Sequence, residues 1–447
     1  MEYFKLKKPD LKSLKKEDIS EVFSDENKPE ILNFIKKVSE SEYLYWDKIQ
    51  YKEPSPKDVP KEILWLVIKF FREQKSIKTL IQDEQGKFFT WSKLNYFEEF
   101  LHKIDMNTGG ELFVGNSDLS KANKQKLITR GIIEEAIASS QLEGASTSRV
   151  AAKKMLREGR KPANKSEQMI VNNYFSMRAI EEDYKESDMS MDLLLELHGL
   201  ITKDTLDDQN EKPRIREKDE EVHVSNRTSG LIYHKGPNAE FVKKELKRLI
   251  SFANDDLDVD TFMHPVIKAI ILHFWLGYLH PFTDGNGRLA RLLFYWYLIK
   301  KDYWAFVYLP ISKIIKKSPE QYTMAYVYSE QDDNDLTYFI DYNFTKIKLA
   351  LKDFVEYLDD QAKNNLKMKS KSENKYSFNI RQVQLLQYLF GDPDGKTNLK
   401  THVNLNQISN KTAIGDLKDL LKKGFLTSKK QGRYVYYYPT NKIKELF

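Results

Sequence analysis

Apolar residues recur every three to four positions through most of the chain, a period that predicts a mainly α protein. Over 61–71 the stripe is Ile63, Leu64, Leu66, Val67, Phe70 and Phe71, and similar patterns occupy 30–48, 167–184, 192–203, 239–254, 265–279, 288–301 and 318–329. Helix formers dominate 118–158 until Gly159-Arg160-Lys161-Pro162 stops them. One stretch has a different rhythm. Glu221-Val222-His223-Val224-Ser225 and Gly230-Leu231-Ile232-Tyr233-His234 are β-favouring runs around Asn226-Arg227-Thr228-Ser229, which predicts a hairpin in an otherwise helical body. The patterning divides the chain into a helical N-terminal region over 1–115, a central body over 116–360, a linker over 361–375 and a C-terminal module over 376–447. The linker ends in the low-complexity basic run Lys-Met-Lys-Ser-Lys-Ser-Glu-Asn-Lys.

Composition narrows the function classes. The chain has 447 residues, of which 40% are apolar, with 25 Phe and 25 Tyr, enough to build cores and to exclude a wholly disordered protein. It has no cysteine, so disulfide scaffolds, iron–sulfur clusters, Cys-based zinc sites and thiol nucleophiles are excluded. The N-terminus lacks an apolar signal core, and even 266–279 contains Lys268 and is too short to span a bilayer. These features predict a soluble, cytoplasmic protein without a membrane partner. Net charge is +6, but it is not spread evenly. Residues 376–447 hold twelve Lys/Arg against five Asp/Glu, a balance of +7, while the rest of the chain sums to −1. That asymmetry predicts an anionic partner for the tail.

The chemistry concentrates in His280-Pro281-Phe282-Thr283-Asp284-Gly285-Asn286-Gly287-Arg288-Leu289-Ala290-Arg291. Pro281 disfavours helical backbone at His280, so the apolar helix before it ends there. A Gly-Asn-Gly loop then opens a second apolar helix, and such a loop turns backbone N–H groups toward an anion where the helix dipole also favours it. Arg288 and Arg291 are spaced to share a helix face and reach a polyphosphate. Asp284 would repel phosphate unless a divalent cation such as Mg²⁺ bridges them. An imidazole at the lip, His280, is suited to accept a hydroxyl proton. By contrast, the spacing of His264, His273 and His280 does not fit a zinc site.

Eight specified positions would match by chance on the order of 10⁻⁸ times in a chain of this length. The segment resembles the signature of the Fic (filamentation induced by cAMP) family, H-x-F-x-[D/E]-G-N-G-R-x-x-R, without departure. The resemblance implies a protein adenylyltransferase that moves AMP from ATP to a Ser, Thr or Tyr hydroxyl of a target protein. It assigns His280 as general base and Asp284 as Mg²⁺ ligand. Gly285, Asn286 and Gly287 would hold the α- and β-phosphates, Arg288 would also bind phosphate, Arg291 would bind the γ-phosphate, and Phe282 would anchor the loop. The fold implied is a helical Fic core with a β-hairpin flap.

Ser139, Glu143 and Gly144 fill the family's inhibitory pattern [S/T]-x-x-x-E-[G/N], at the end of a helix expected over about 132–144. Ser139 and Glu143 share a helix face, and Gly144 suits a helix end. A Glu143 carboxylate paired bidentately with Arg291 would deny the γ-phosphate its partner. By the same resemblance Val222, His223 and Val224 of the hairpin would pair with a target backbone, the alternative being a plain surface hairpin. Tyr322 and Tyr326 would lie near the adenine, the alternative being core packing.

The tail resembles a winged helix-turn-helix. Ile380, Val383, Leu385, Leu386, Tyr388 and Leu389 make a first helix. Ser409 caps a second with the stripe Ala413, Leu417, Leu420, Leu421, ended by Gly424; strands at 426–428 and 433–438 follow, around a turn at 429–432. Asn410, Lys411 and Lys418 would face outward and contact DNA, with protein docking as the alternative. Competing readings of the whole chain are a DNA-binding regulator whose Fic fold senses nucleotide, a Fic enzyme that moves another phosphate-containing group, and one that removes AMP. A homodimer is a further expectation.

Overall fold

The computed structural model describes residues 2–11, 28–53, 55–56, 59–108, 121–207, 213–226, 229–256, 262–372, 376–390, 395–406, 408–431 and 434–446. The expected boundary at 115/116, Arg227 and Thr228 of the hairpin turn, positions 373–375 of the linker, and Gly432 and Arg433 lie outside them.

The N-terminal region holds α1 (Lys28–Lys36), α2 (Trp46–Ile49), α3 (Lys61–Gln74) and α4 (Asn95–Thr108). It is not purely helical. Between α3 and α4, β1 (Ser76–Gln82) and β2 (Phe88–Ser92) form an antiparallel hairpin. Phe89 and Trp91 point into the core at every second position, the β period that the helical reading of 1–115 passes over.

The centre is built from α5 (Lys121–Leu142), α6 (Arg149–Glu158), α7 (Lys165–Glu182), α8 (Met191–Thr202), α9 (Ala239–Ala253), α10 (Pro265–Leu279) and α11 (Asn286–Lys300). A short α12 (Ile311–Ile315), then α13 (Pro319–Gln331) and the long α14 (Thr337–Ser372), complete it. On α10 every residue but Pro265 and Gly277 is buried; on α11 every residue but Gly287 and Lys300 is. Helices apolar all round belong in the middle of a protein, and this pair is the core around which the others pack. α14 runs through Ser372, into the stretch expected as a linker, because Lys, Met, Ala and Gln there are good helix formers.

α5 carries two buried acids that fix its neighbours. Glu134 takes Arg149 Nε at 2.8 Å and also pairs with Lys153, both on α6. Burial would raise its pKa, but these two cations hold it at about 2. Glu135 accepts from Tyr295 Oη at 2.9 Å and Ser312 N at 3.0 Å.

The hairpin of the centre pairs β3 (His223–Ser225) with β4 (Ile232–Lys235), Val224 opposite His234. The outer edge of β4 is taken by the start of the chain: Phe4 N donates to Ile232 O at 2.8 Å and Ile232 N to Glu2 O at 2.9 Å.

The C-terminal module contains α15 (Ile380–Phe390), β5 (Thr397–Asn398), α16 (Leu399–Asn406), α17 (Asn410–Lys422), β6 (Leu426–Gln431) and β7 (Tyr434–Pro439). Its sheet has the order β5-β7-β6, antiparallel throughout. Ser409 caps α17 by accepting from Thr412 N. The pairing of Gln431 with Tyr434 carries β6 past Lys429, so Lys429 and Lys430 are strand rather than turn residues. α16 packs against α6 and α5, and the Arg157 guanidinium lies 5.1 Å from the centre of the Tyr388 ring.

Candidate active site

The end of α10 sets the position of His280. The chain leaves the helix with His280 itself in the left-handed region (φ 46°, ψ 58°), so its side chain leaves the helix axis where Pro281 begins the loop. Its Nδ1 lies 2.9 Å from the Gly277 carbonyl, which can only accept, so Nδ1 carries the proton and Nε2 keeps a lone pair. Burial, and after it the charge of His234, push the His280 pKa down to about 4, leaving the ring neutral at pH 7.

The loop is closed by its own side chains. Asn286 Oδ1 accepts from Phe282 N at 2.9 Å and Asn286 Nδ2 donates to Phe282 O at 2.7 Å. The Asn286 amide is therefore committed to the loop, and only its backbone is available to a ligand. Phe282 is fully buried and stacks on His198, with ring centres 3.8 Å apart. His198 Nε2 lies 2.9 Å from the Asp284 carbonyl, which makes Nε2 the donor; burial lowers its pKa to about 4. Gly285 adopts φ 83°, and a Cβ there would meet Thr202 at 2.8 Å.

Asp284 has about half its side chain exposed (49%) and lines a cavity of about 430 Å³ together with His280, Gly287, Arg291, Glu143 and Tyr322. The described residues contain no cluster of three acidic or His ligands, so a divalent ion here would draw most of its ligands from phosphate oxygens and water. A single half-exposed carboxylate on a cavity that also holds Arg291 and the N-terminus of α11 fits Mg²⁺ bound in that way. A larger cavity, about 850 Å³, lies between α4 and α14 and shares no lining residue with this one.

The two arginines of α11 differ. Arg288 is fully buried, does not line the cavity, and donates Nη1 to the Ile201 carbonyl at 2.8 Å. Its Nε and Nη2 make no hydrogen bond, although Nη2 is 3.5 Å from Asp284 Oδ2. Two buried donors left this way are costly unless an anion comes close. Arg291 lines the cavity. Its Nε donates to Ser139 Oγ at 2.8 Å, and Nη2 donates to the Ser139 carbonyl at 3.0 Å and to Glu143 Oε1 at 2.9 Å. The pairing is thus shared between Ser139 and Glu143, not the two-point fork expected from the sequence.

Glu143 sits just past α5, where Gly144 at φ 99° reverses the chain. A Cβ on Gly287 would lie 2.1 Å from Glu143 Oε1, so the carboxylate rests directly on the N-terminus of α11. There the helix dipole and Arg291 both stabilise negative charge. Against the opposing effect of burial, Arg291 holds the Glu143 pKa below its ordinary value.

β3 and β4 form one wall of the cavity: Val224, His223 and His234 line it, and Val222 packs against Gly236. Tyr322 and Tyr326 also line it and at the same time belong to an aromatic cluster. Tyr322 Oη is 2.7 Å from His273 Nε2, and Tyr326 packs on Phe274 and Phe339. Asn410, Lys411 and Lys418 lie exposed on α17, in a different part of the molecule.

Three residues of the site escape sequence reasoning. Arg216 donates Nε to the His280 carbonyl at 2.8 Å and also bonds the Pro237 carbonyl, which ties the hairpin to the loop. His234 and His198 complete the set. His198 alone leaves a signal, a polar residue among Leu194, Leu197 and Ile201 on the buried stripe of α8.

Residues 188–298 match the Fic/DOC family. The protein adenylyltransferase fic-1 of Caenorhabditis elegans is 38% identical over 112 residues, which is 24% of this chain and 19% of that protein. The protein adenylyltransferase Fic of Nematostella vectensis is 61% identical over 31 residues, 7% of each chain. The chain spans a fifth or less of the length of these curated relatives. Among solved structures, a Fic family protein from Desulfovibrio desulfuricans is 18% identical, with 78% of this chain and 97% of that one aligned at a TM-score of 0.49.

Proposed function

We propose that this chain, which carries a Fic domain over residues 188–298, transfers AMP from ATP to a Ser, Thr or Tyr hydroxyl of a protein, and that Glu143 restrains the transfer. The observation that carries the reading is the Glu143 carboxylate lying on the N-terminus of α11 and bonded to Arg291. A helix N-terminus flanked by arginine is an anion site, and here an internal anion fills it beside a neutral imidazole. When ATP takes that place, its γ-phosphate gains Arg291 and the backbone N–H groups of Gly285, Asn286 and Gly287 face the α- and β-phosphates.

His280 Nε2 then accepts the hydroxyl proton of the target while its oxygen bonds to the α-phosphorus. The bond from that phosphorus to the bridging oxygen breaks, and pyrophosphate leaves with the electron pair. Asp284 would hold Mg²⁺, which would supply charge neutralisation for the leaving group. Arg288 acts from behind the loop, holding α8 to α11 through Ile201. β3 offers its outer edge, with Val224 exposed, to a target strand. Tyr322 and Tyr326 form the wall beside which the adenine would lie.

Radiolabelled ATP tests this. Glu143→Gly is expected to incorporate label at least about tenfold faster than wild type, the value of one charge-assisted contact. Equal incorporation overturns the restraint.

For the C-terminal module we propose a winged helix-turn-helix that binds DNA in the reducing interior of a cell. What supports it is the sorting of charge on α17. Asp416 turns inward to Arg381 (2.8 Å) and His402, and Asp419 to Gln382 and Lys423, while Lys411 and Lys418 stay on the open face. An electrophoretic shift that weakens steeply with salt is expected; absence of binding at low salt contradicts it.

A further inference from the structure

His234 lies on β4 and Glu330 on α13, yet they meet beside His280. His234 Nδ1 is 2.7 Å from Glu330 Oε2, and Nε2 is 2.8 Å from the Tyr278 carbonyl. A carboxylate and a carbonyl both accept only, so a ring satisfied at both nitrogens carries both protons and a positive charge. The side chain is buried, where an isolated cation would be expensive and a paired one is retained. Its ring centre is 6.1 Å from that of His280.

We infer that His234, anchored by Glu330, is a positioning residue whose fixed positive charge keeps His280 unprotonated and so ready to act. The inference rests on the reading of His280 as the base. That base faces a specific difficulty: an incoming polyphosphate raises the proton affinity of any group beside it. A base that is already protonated takes no proton from a hydroxyl. A permanent cation 6.1 Å from the ring offsets this.

Glu143 from the end of α5 raises the proton affinity of His280; Arg216, bonded to its carbonyl, lowers it; Asp284 and Arg291 of the loop and α11 and the neutral Tyr322 and Tyr326 of α13 line the same cavity. Around His234 the charged neighbours are Glu330, which holds its pKa above the ordinary value against the effect of burial, and Arg216. The sign follows directly. With His234 charged, protonated His280 is disfavoured; with His234 neutral, His280 protonates at higher pH. Activity that needs neutral His280 then disappears earlier as pH falls.

The full chain labelled with ¹³C-histidine, followed by NMR between pH 4 and 8, tests this without relying on activity. The His280 signal is identified by its loss in His280→Ala. In His234→Gln the His280 midpoint is expected to rise by about one pH unit, the effect of removing a charge at this distance in a partly screened interior, and in Glu330→Gln, where the carboxylate and the imidazolium charge are lost together, it rises by less. A midpoint unchanged in either folded variant overturns the inference. Should His234→Gln not fold, Glu330→Gln keeps the ring in place and carries the test. In the Glu143→Gly background the acid limb of the pH–rate profile should move up by the same amount; a fall in rate with the limb unmoved marks His234 as merely structural. If Glu143→Gly transfers no AMP, the transferase reading fails, while the titration still decides the role of His234.

Discussion

On α11, Arg288 and Arg291 are 0% and 3% exposed and contact the Ile201 carbonyl, Ser139 and Glu143. On α17, Lys411 and Lys418 are exposed, and the acids of the same helix are turned away from them. The two helices hold positive charge for opposite purposes. A buried cation must be answered by an anion inside the protein, because its desolvation costs several kcal/mol. The internal partner therefore competes with any ligand for the same place, and restraint becomes part of the site. An exposed cation needs no such partner; it acts at a distance, adds to its neighbours and is screened by salt. The difference explains how a chain of net charge +6 combines a nearly neutral centre with a basic tail.

The comparison can be broken most severely at the buried site. His280→Ala in the Glu143→Gly background should lower AMP transfer by roughly 10²- to 10⁴-fold, the usual value of a positioned base; steady-state rates check it. Gly287→Ala comes next, since its Cβ would lie 2.1 Å from the place the Glu143 carboxylate oxygen takes and so would fill the anion site even in the absence of that side chain. ATP affinity, measured by calorimetry in the Glu143→Gly background, should drop by about 2 kcal/mol or more, as for other clashes in a packed site. Removing Lys411 and Lys418 together should reduce the salt slope of DNA binding by about two, uniformly across sequences. The smallest effect is expected at Arg157→Ala, which removes the guanidinium from the Tyr388 ring and should weaken the seat of the C-terminal module by about 0.5–1 kcal/mol. Hydrogen exchange in α15 and α16 reads that change.

Much of this was legible along the chain because it is local. The loop motif, the helices on either side of it and the caps at Ser409 and Gly424 depend on residues a few positions apart. Glu143 was legible through its spacing from Ser139, although the sharing of Arg291 between them was not. What escaped depends on contacts between distant segments. Arg216 bonds the carbonyl of His280 across 64 positions, and His234 finds Glu330 across 96; neither partner shows in a periodic pattern. The β1–β2 hairpin was missed for another reason, since Ser76–Gln82 is partly polar and follows a strong helix directly. The first part of the expected linker is helical through Ser372, because a polar, lysine-rich run with few β-branched residues is able to prolong a helix.

Intact-mass spectrometry tests the central claim most directly. Glu143→Gly protein incubated with ATP and Mg²⁺, alone and with a cell extract as the source of targets, should give protein species heavier by one AMP. The same preparation carrying His280→Ala as well should give none. Adducts that persist without His280, or no adduct from folded Glu143→Gly protein in either incubation, would contradict the account.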